Sequence, residues 1–199
     1  LAQMTRALQQ EVNATANSIA FFGSAASWYG AMDRLDEIFN APYDTRVPEV
    51  LYGGCDFGEL TEGDLSLETV FTAEILEQAQ NETLGDQDPW GCIATENSLT
   101  DTSIERIQED DPSYGILLVF GEEDNLVHTP IERAAYPSMC ESQGMPTQYI
   151  ECAGAGHGPA TFYALPEILE FMNQRLAGEA FTPSCDAPAP VVCRGTPSE

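Results

Sequence analysis

Two segments of the chain end in side chains suited to proton transfer. Residues 115–124 read GILLVFGEED, an apolar run that stops at a glycine and three acids. Later, QYIEC leads through small residues to GAGHG and His157. In open α/β sheets function gathers at the carboxyl ends of the strands, and neighbouring parallel strands bring two such loops together. Asp124 could then accept the imidazole Nδ1–H of His157, fix its tautomer and stabilise the imidazolium. Nε2 would be free to take a proton from a serine hydroxyl. Glu122 and Glu123 are alternative acids. His128 lies on the same loop as Asp124, which does not suit an acid–base pair from two strand ends, so it reads as a surface or rim residue. An aspartate after a strand is also ordinary turn chemistry, and a histidine among glycines can be an ordinary loop residue. The pairing, the order and the strand context favour the chemical reading. Gly154, Gly156 and Gly158 leave the backbone around His157 little side-chain bulk, so that a substrate could approach closely.

The elements that would position these residues follow from apolar spacing. Residues 116–120 suit a strand buried on both faces. A helix is expected over about 129–142, with Pro130 in its first turn and Gly144 at its end. A second strand is expected over 147–152, then a helix over about 159–177, with Phe162, Leu165, Ile168, Leu169, Met172 and Leu176 on one face and Gly178 as its stop. Residues 115–177 thus form a strand–helix–strand–helix unit with a parallel sheet. Residues 1–39 are helical in pattern, with breaks expected at Gly23 and Gly30. Pro42 and Pro48 suggest a loop. Another helix is expected over 65–80 with Asp64 as N-cap, and a short helical piece after Asp88-Pro89-Trp90, ending near Asn97. Residues 98–113 read as an exposed polar connection, and the proline-containing tail from Phe181 as irregular and tied by a disulfide.

Composition bounds the class. The 199 residues have a 43% hydrophobic fraction, globular rather than disordered. Thirty-three acids stand against seven arginines and no lysine, a formal net charge of −26. Such a surface repels phosphate backbones and argues against nucleic acid and anionic membranes. No apolar run is long enough for a stable membrane insertion. The dispersed acids suit either a high-salt or an acid-adapted habitat. Six cysteines, at 55, 92, 140, 152, 185 and 193, form no zinc spacing or CxxC. With the sequons Asn13-Ala14-Thr15 and Asn81-Glu82-Thr83 they point to a secreted, oxidised protein. Cysteine pairing is not fixed by the sequence; we expect Cys55 to pair with Cys92. No metal-ligand constellation is present, and no cofactor is expected. A parallel sheet of two strands lacks cover for its faces and edges, so the sequence reads as part of something longer.

From about Trp90 to the end, the chain resembles the C-terminal portion of α/β-hydrolases, and within them the secretory lipase family. The resemblance rests on Gly121-Glu122-Glu123-Asp124-Asn125-Leu126-Val127 as a G-x-x-D-x-x-V pattern, Cys140 with Gly144, Gly154-Ala155-Gly156-His157, and Cys193-Arg194-Gly195-Thr196-Pro197. It departs at His128, where such relatives often have proline. It implies an α/β fold: the last two parallel strands and flanking helices of a hydrolase core over 115–177, a helical cap or lid over 1–114, and a disulfide-tethered tail over 178–199. It further implies a secreted serine ester hydrolase, a lipase or carboxylesterase acting on an ester or lipid. Asp124 is then the acid, selected over its neighbours, and His157 the base. The serine of such enzymes sits in a G-x-S-x-G elbow. The nearest segment here, GSAAS with Ser24, lacks the second glycine and lies in a helical stretch. The nucleophile is therefore expected in a missing N-terminal part. Trp28, Tyr29, Phe21 and Phe22 could line an acyl pocket or pack a core. Other hydrolase activities, such as peptidase or acyltransferase, and a non-catalytic binding protein on the same fold are the alternatives.

Overall fold

Apolar residues at helical spacing dominate the first half of the chain, and helices form there in the computed structural model, which describes residues 2–9, 15–54, 57–60, 65–98 and 111–198. The chain divides into two units, Leu1–Ser103 and Ile104–Glu199. Among the described residues the fold is mixed: mostly helix, with one two-stranded parallel sheet.

Unit 1 contains α1 (Ala2–Gln9), α2 (Thr15–Tyr29), α3 (Tyr43–Gly53), α4 (Leu67–Val70), α5 (Ala73–Gln80) and α6 (Trp90–Glu96). Phe22 is the centre of its core, meeting Phe39, Phe71 and Trp90 edge-on at centroid distances of 6.4, 6.4 and 5.8 Å, a geometry that places ring edges on ring faces. Two expected breaks are absent. Gly23 lies inside α2, because a Cβ there would fall 2.5 Å from Val47 and Leu51; it permits close approach of α3 instead of ending the helix. Pro48 sits inside α3, where the packing of Val47 and Leu51 outweighs the lost backbone bond. Gly30 does end α2, at φ 72°. The helix expected over 65–80 is two helices. Phe71 takes an extended conformation and bridges Phe39, with Thr72 N–H on Ile38 O at 2.9 Å. Thr72 then caps α5 by accepting from Ile75 N–H. Asp64 lies outside the described residues. Trp90 is fully buried, and its indole N–H donates to Glu37 Oε2 at 3.0 Å.

Unit 2 contains β1 (Ile116–Gly121), α7 (Thr129–Pro137), β2 (Thr147–Cys152), α8 (His157–Tyr163) and α9 (Leu165–Leu176). The strands pair in parallel from Ile116 opposite Thr147 to Gly121 opposite Cys152. One face of the sheet carries Phe120 and Tyr149, stacked at 5.1 Å, under Tyr136 of α7. On that face the fully buried Glu151 carboxylate binds the Arg133 guanidinium through two nitrogens and accepts from Tyr149 O–H at 2.7 Å. Burial, reinforced by Glu151, pushes the Tyr149 hydroxyl well above its ordinary pKa. The other face packs Val119, Ile150 and Cys152 with Ala160, Ala164 and Ile168 of the final helices. The tail covers the outer edge of β2. Val191 bridges Cys152, and Cys140–Cys185 and Cys152–Cys193 are disulfides. Cys92 is exposed and unpaired among the described residues, while Cys55, its expected partner, lies outside them.

Three expectations for unit 2 are corrected. Ile116–Phe120 are half-buried rather than buried on both faces, since among the described residues β1 has a partner strand on one edge only. The helix over 129–142 passes into a wide turn at Ser138–Ser142 after Pro137. The final helix breaks at Ala164, because Pro166 has no N–H to give the carbonyl of Phe162; at the break Gly195 N–H takes the carbonyl of Tyr163 at 2.8 Å. Leu165, Leu169, Met172 and Leu176 recur at helical spacing on α9, yet are 46–83% exposed.

Glu37 gives unit 1 an acid-sensitive joint. The Arg34 guanidinium, at 2.7 Å, and the Trp90 indole hold its carboxyl below the ordinary value. With the folded-state value lowered, the stabilisation is present above the unfolded glutamate pKa of about 4.3 and is lost as pH falls through the folded value. In a Trp28→Phe background, where Trp90 alone fluoresces, urea midpoints should drop more steeply between about pH 5 and pH 2 than in the same protein with Glu37→Gln, which keeps an acceptor for the indole. Parallel curves would show that the ionised Glu37 adds nothing.

Candidate active site

The paired carboxyl ends of β1 and β2 build the site. After Gly121 the chain turns sharply: Asp124 N–H donates to Gly121 O at 3.2 Å, and buried Thr129 Oγ1 donates to the same carbonyl at 2.6 Å. The Asp124 side chain, 5% exposed, closes the turn on itself. Its Oδ1 accepts from Leu126 N–H at 3.0 Å and Val127 N–H at 2.9 Å, the local side-chain-to-backbone bonding typical of aspartate. Oδ2 faces His157 Nδ1 at 2.8 Å. An ionised carboxylate only accepts, so Nδ1 carries the proton, and in the neutral imidazole Nε2 presents a lone pair.

The second loop is fixed from both sides. Gly154, at φ 65°, makes a turn that an L side chain rarely adopts. Its N–H donates to Glu122 Oε2 at 2.9 Å. Glu122 N–H donates to Cys152 O at 3.0 Å and Glu123 N–H to Ala155 O at 2.8 Å, so the two loops are stitched by backbone as well as side chain. Gly156 caps α8, and His157 is its first residue. The imidazole is 53% exposed. Cys152, under the same helix, is fixed to Cys193.

The structure therefore brings Asp124 and His157 together and separates the alternatives. The Glu122 side chain supports the opposite loop. Glu123, also exposed, joins through its backbone. His128 is the residue before α7. Ser24 lies in the middle of α2 in unit 1, on regular helix rather than a strand-to-helix elbow. In the same unit Phe22 is core, Phe21 packs against it, and Trp28 and Tyr29 are exposed. Sequence reasoning missed Glu122 as a support and Gly121 as a contact. The only signal for either was adjacency to the strand end. Among the described residues no group of His, Cys, Asp and Glu side chains could hold a metal ion, and no helix is long and apolar enough to cross a membrane.

A Cβ at Gly121 would fall 2.3 Å from Ala155 O and 2.7 Å from Gly156 O, both backbone atoms just before His157. Gly121→Ala should cost about 1–3 kcal/mol by overpacking. It should also abolish the downfield proton resonance of an imidazole Nδ1–H bonded to carboxylate. Gly158→Ala meets nothing within 4 Å, and should keep that resonance at equal or higher stability. Retention of the resonance in Gly121→Ala would mean the loops are not coupled through this contact.

No family model, curated protein or solved structure matches this chain; the functional reading therefore rests on the residues and their geometry.

Proposed function

We propose that this chain carries the acid and base of a Ser-Asp-His triad in a secreted ester hydrolase of the lipase or carboxylesterase type, related to the secretory lipases it resembles. The observation that carries the reading is the hydrogen bond between buried Asp124 Oδ2 and half-exposed His157 Nδ1 at 2.8 Å. His157 Nε2 takes the proton of a serine hydroxyl as that oxygen attacks the acyl carbon. The imidazolium, stabilised by Asp124, then gives the proton to the departing alkoxide, and the cycle repeats with water on the acyl-enzyme. Transition-state stabilisation comes from oxyanion-hole donors, which this reading assigns, like the serine, to chain preceding Leu1. In support, the sequence contains no G-x-S-x-G, and apolar surface on half-buried β1 and on α9 is suited to packing against further core elements. Two disulfides fit an extracellular site of action. Unit 1 corresponds to the helical cap region of such hydrolases in this reading.

The test is ester hydrolysis by the full-length protein. His157→Ala should abolish it with the fold intact. Asp124→Asn should lower kcat by about 10³–10⁴, because the amide favours the wrong tautomer, while Glu123→Gln should do little. A His157→Ala protein that keeps a tenth of the wild-type kcat would remove the imidazole from the chemistry. Triad-dependent turnover by residues 1–199 alone would show that the nucleophile lies within them, with Ser24 the first to examine.

A further inference from the structure

We infer that Asn81 is a site of N-linked glycosylation, taking its sugar from a polyprenyl-diphosphate-linked oligosaccharide; the inference rests on the secreted reading above. The sequon Asn81-Glu82-Thr83 is the C-terminal cap of α5. Asn81 is the cap residue, Glu82 the following residue at φ 57°, and Thr83 the one after it. Thr83 N–H donates to Gln78 O at 2.9 Å and Glu82 N–H to Ala79 O at 3.1 Å. That is the six-to-one and five-to-two pairing that closes a helix through a left-handed residue. The Thr83 hydroxyl also donates to Gln78 O at 3.4 Å, so the helix end is finished without the Asn81 side chain. The Asn81 side-chain amide has no hydrogen-bond partner among the described residues, and Asn81, Glu82 and Thr83 are all exposed.

Three properties that a glycan acceptor needs thus coincide. The amide is free, so attaching a sugar breaks no folded-state bond. The side chain stands in water, so the glycan displaces no packing. The turn sets the asparagine on the surface beside exposed Thr83, whose hydroxyl rests on Gln78 O, with buried Leu84 anchoring the chain just beyond. In the transfer, Asn81 Nδ2 bonds to C1 of the first sugar while the bond from C1 to the diphosphate oxygen breaks. The polyprenyl diphosphate leaves with the electron pair, and one amide proton passes to a carboxylate of the transferase. The product is a neutral, strongly hydrated surface group. The other sequon asparagine, Asn13, lies outside the described residues.

The test uses the full-length protein recovered from the medium of a eukaryotic host in an Asn13→Gln background. Enzymatic removal of the glycan in ¹⁸O-water should convert Asn81 to labelled aspartate and sharpen the gel band. Asn81→Gln and Thr83→Ala should lose both signals, and Thr83→Ser should keep them. The thermal midpoint of Asn81→Gln before glycan addition, in protein refolded from bacteria, should match the parent, because the amide bears no structural bond, and Thr83→Ser keeps the hydroxyl that bonds Gln78 O. The same digest reads the disulfide-linked peptides of Cys140–Cys185 and Cys152–Cys193. An unlabelled Asn81 beside intact disulfides overturns the glycosylation inference and leaves the secreted reading standing. An unlabelled Asn81 beside reduced cysteines overturns both.

Discussion

Parallel pairing that ends with Gly121 opposite Cys152 sends two chains out of the sheet side by side, and the candidate site depends on that register. A slip of one residue would move every side chain of one strand to the other face. Cys152 would then leave its disulfide partner, and Glu151 would leave Arg133. It would also shift one loop by about 3.3 Å along the strand, more than enough to break a 2.8 Å contact between Asp124 and His157. The register is reinforced at its carboxyl end. Glu122 N–H bonds Cys152 O at the last ladder pair, and the bonds Glu123 to Ala155 and Gly154 to Glu122 lie beyond it.

Unit 2 adds covalent closure to its packing. The buried cluster on one face of its sheet holds few side chains, mostly alanine and cysteine, whereas unit 1 builds a continuous core around Phe22 and Trp90. The tail of unit 2 has no regular structure, so ordering it costs conformational entropy with little apolar burial in return. Two disulfides with sequence separations of 45 and 41 offset that cost, each worth about 4 kcal/mol on the chain-entropy account. The tail in turn seals the outer edge of β2 and takes the carbonyl of Tyr163 at the break between α8 and α9. Reduction would therefore loosen the floor under α8, and His157 with it.

Much of this was legible in the sequence, for physical reasons that can be named. Both strands, their parallel order and the Asp124–His157 pairing follow from short apolar runs that stop at polar residues, a signal carried by neighbouring positions. The misses come from long-range contacts. Gly23 looks like a helix breaker until Val47 and Leu51 lie against it. Leu65 to Gln80 looks like one helix until Phe71 is drawn to Phe39. Apolar periodicity over 162–176 does not show the break at Ala164, and α9 leaves Leu165, Leu169, Met172 and Leu176 open. Periodicity shows which face is apolar and not what covers it. The Glu122 support was illegible because it depends on the φ of Gly154, thirty-two residues away.

The two halves of the acid–base pair are restrained to different degrees, and the difference suits their roles. Three donors fix both oxygens of the Asp124 carboxylate, and the side chain is almost wholly out of water. Turning it would leave two backbone N–H groups without partners, at about 1–3 kcal/mol for each that stays buried. The imidazole has only the Asp124 bond on one nitrogen and an open ring edge on the other, at 53% exposure. A base that must receive a proton from one oxygen and return it to another gains from such freedom at Nε2, provided Nδ1 stays anchored. The carboxylate thus acts as a fixed post and the imidazole as the part that reaches. What Nε2 reaches for decides the chemistry, and in the proposed reading it is a serine hydroxyl that completes the ring's second hydrogen bond.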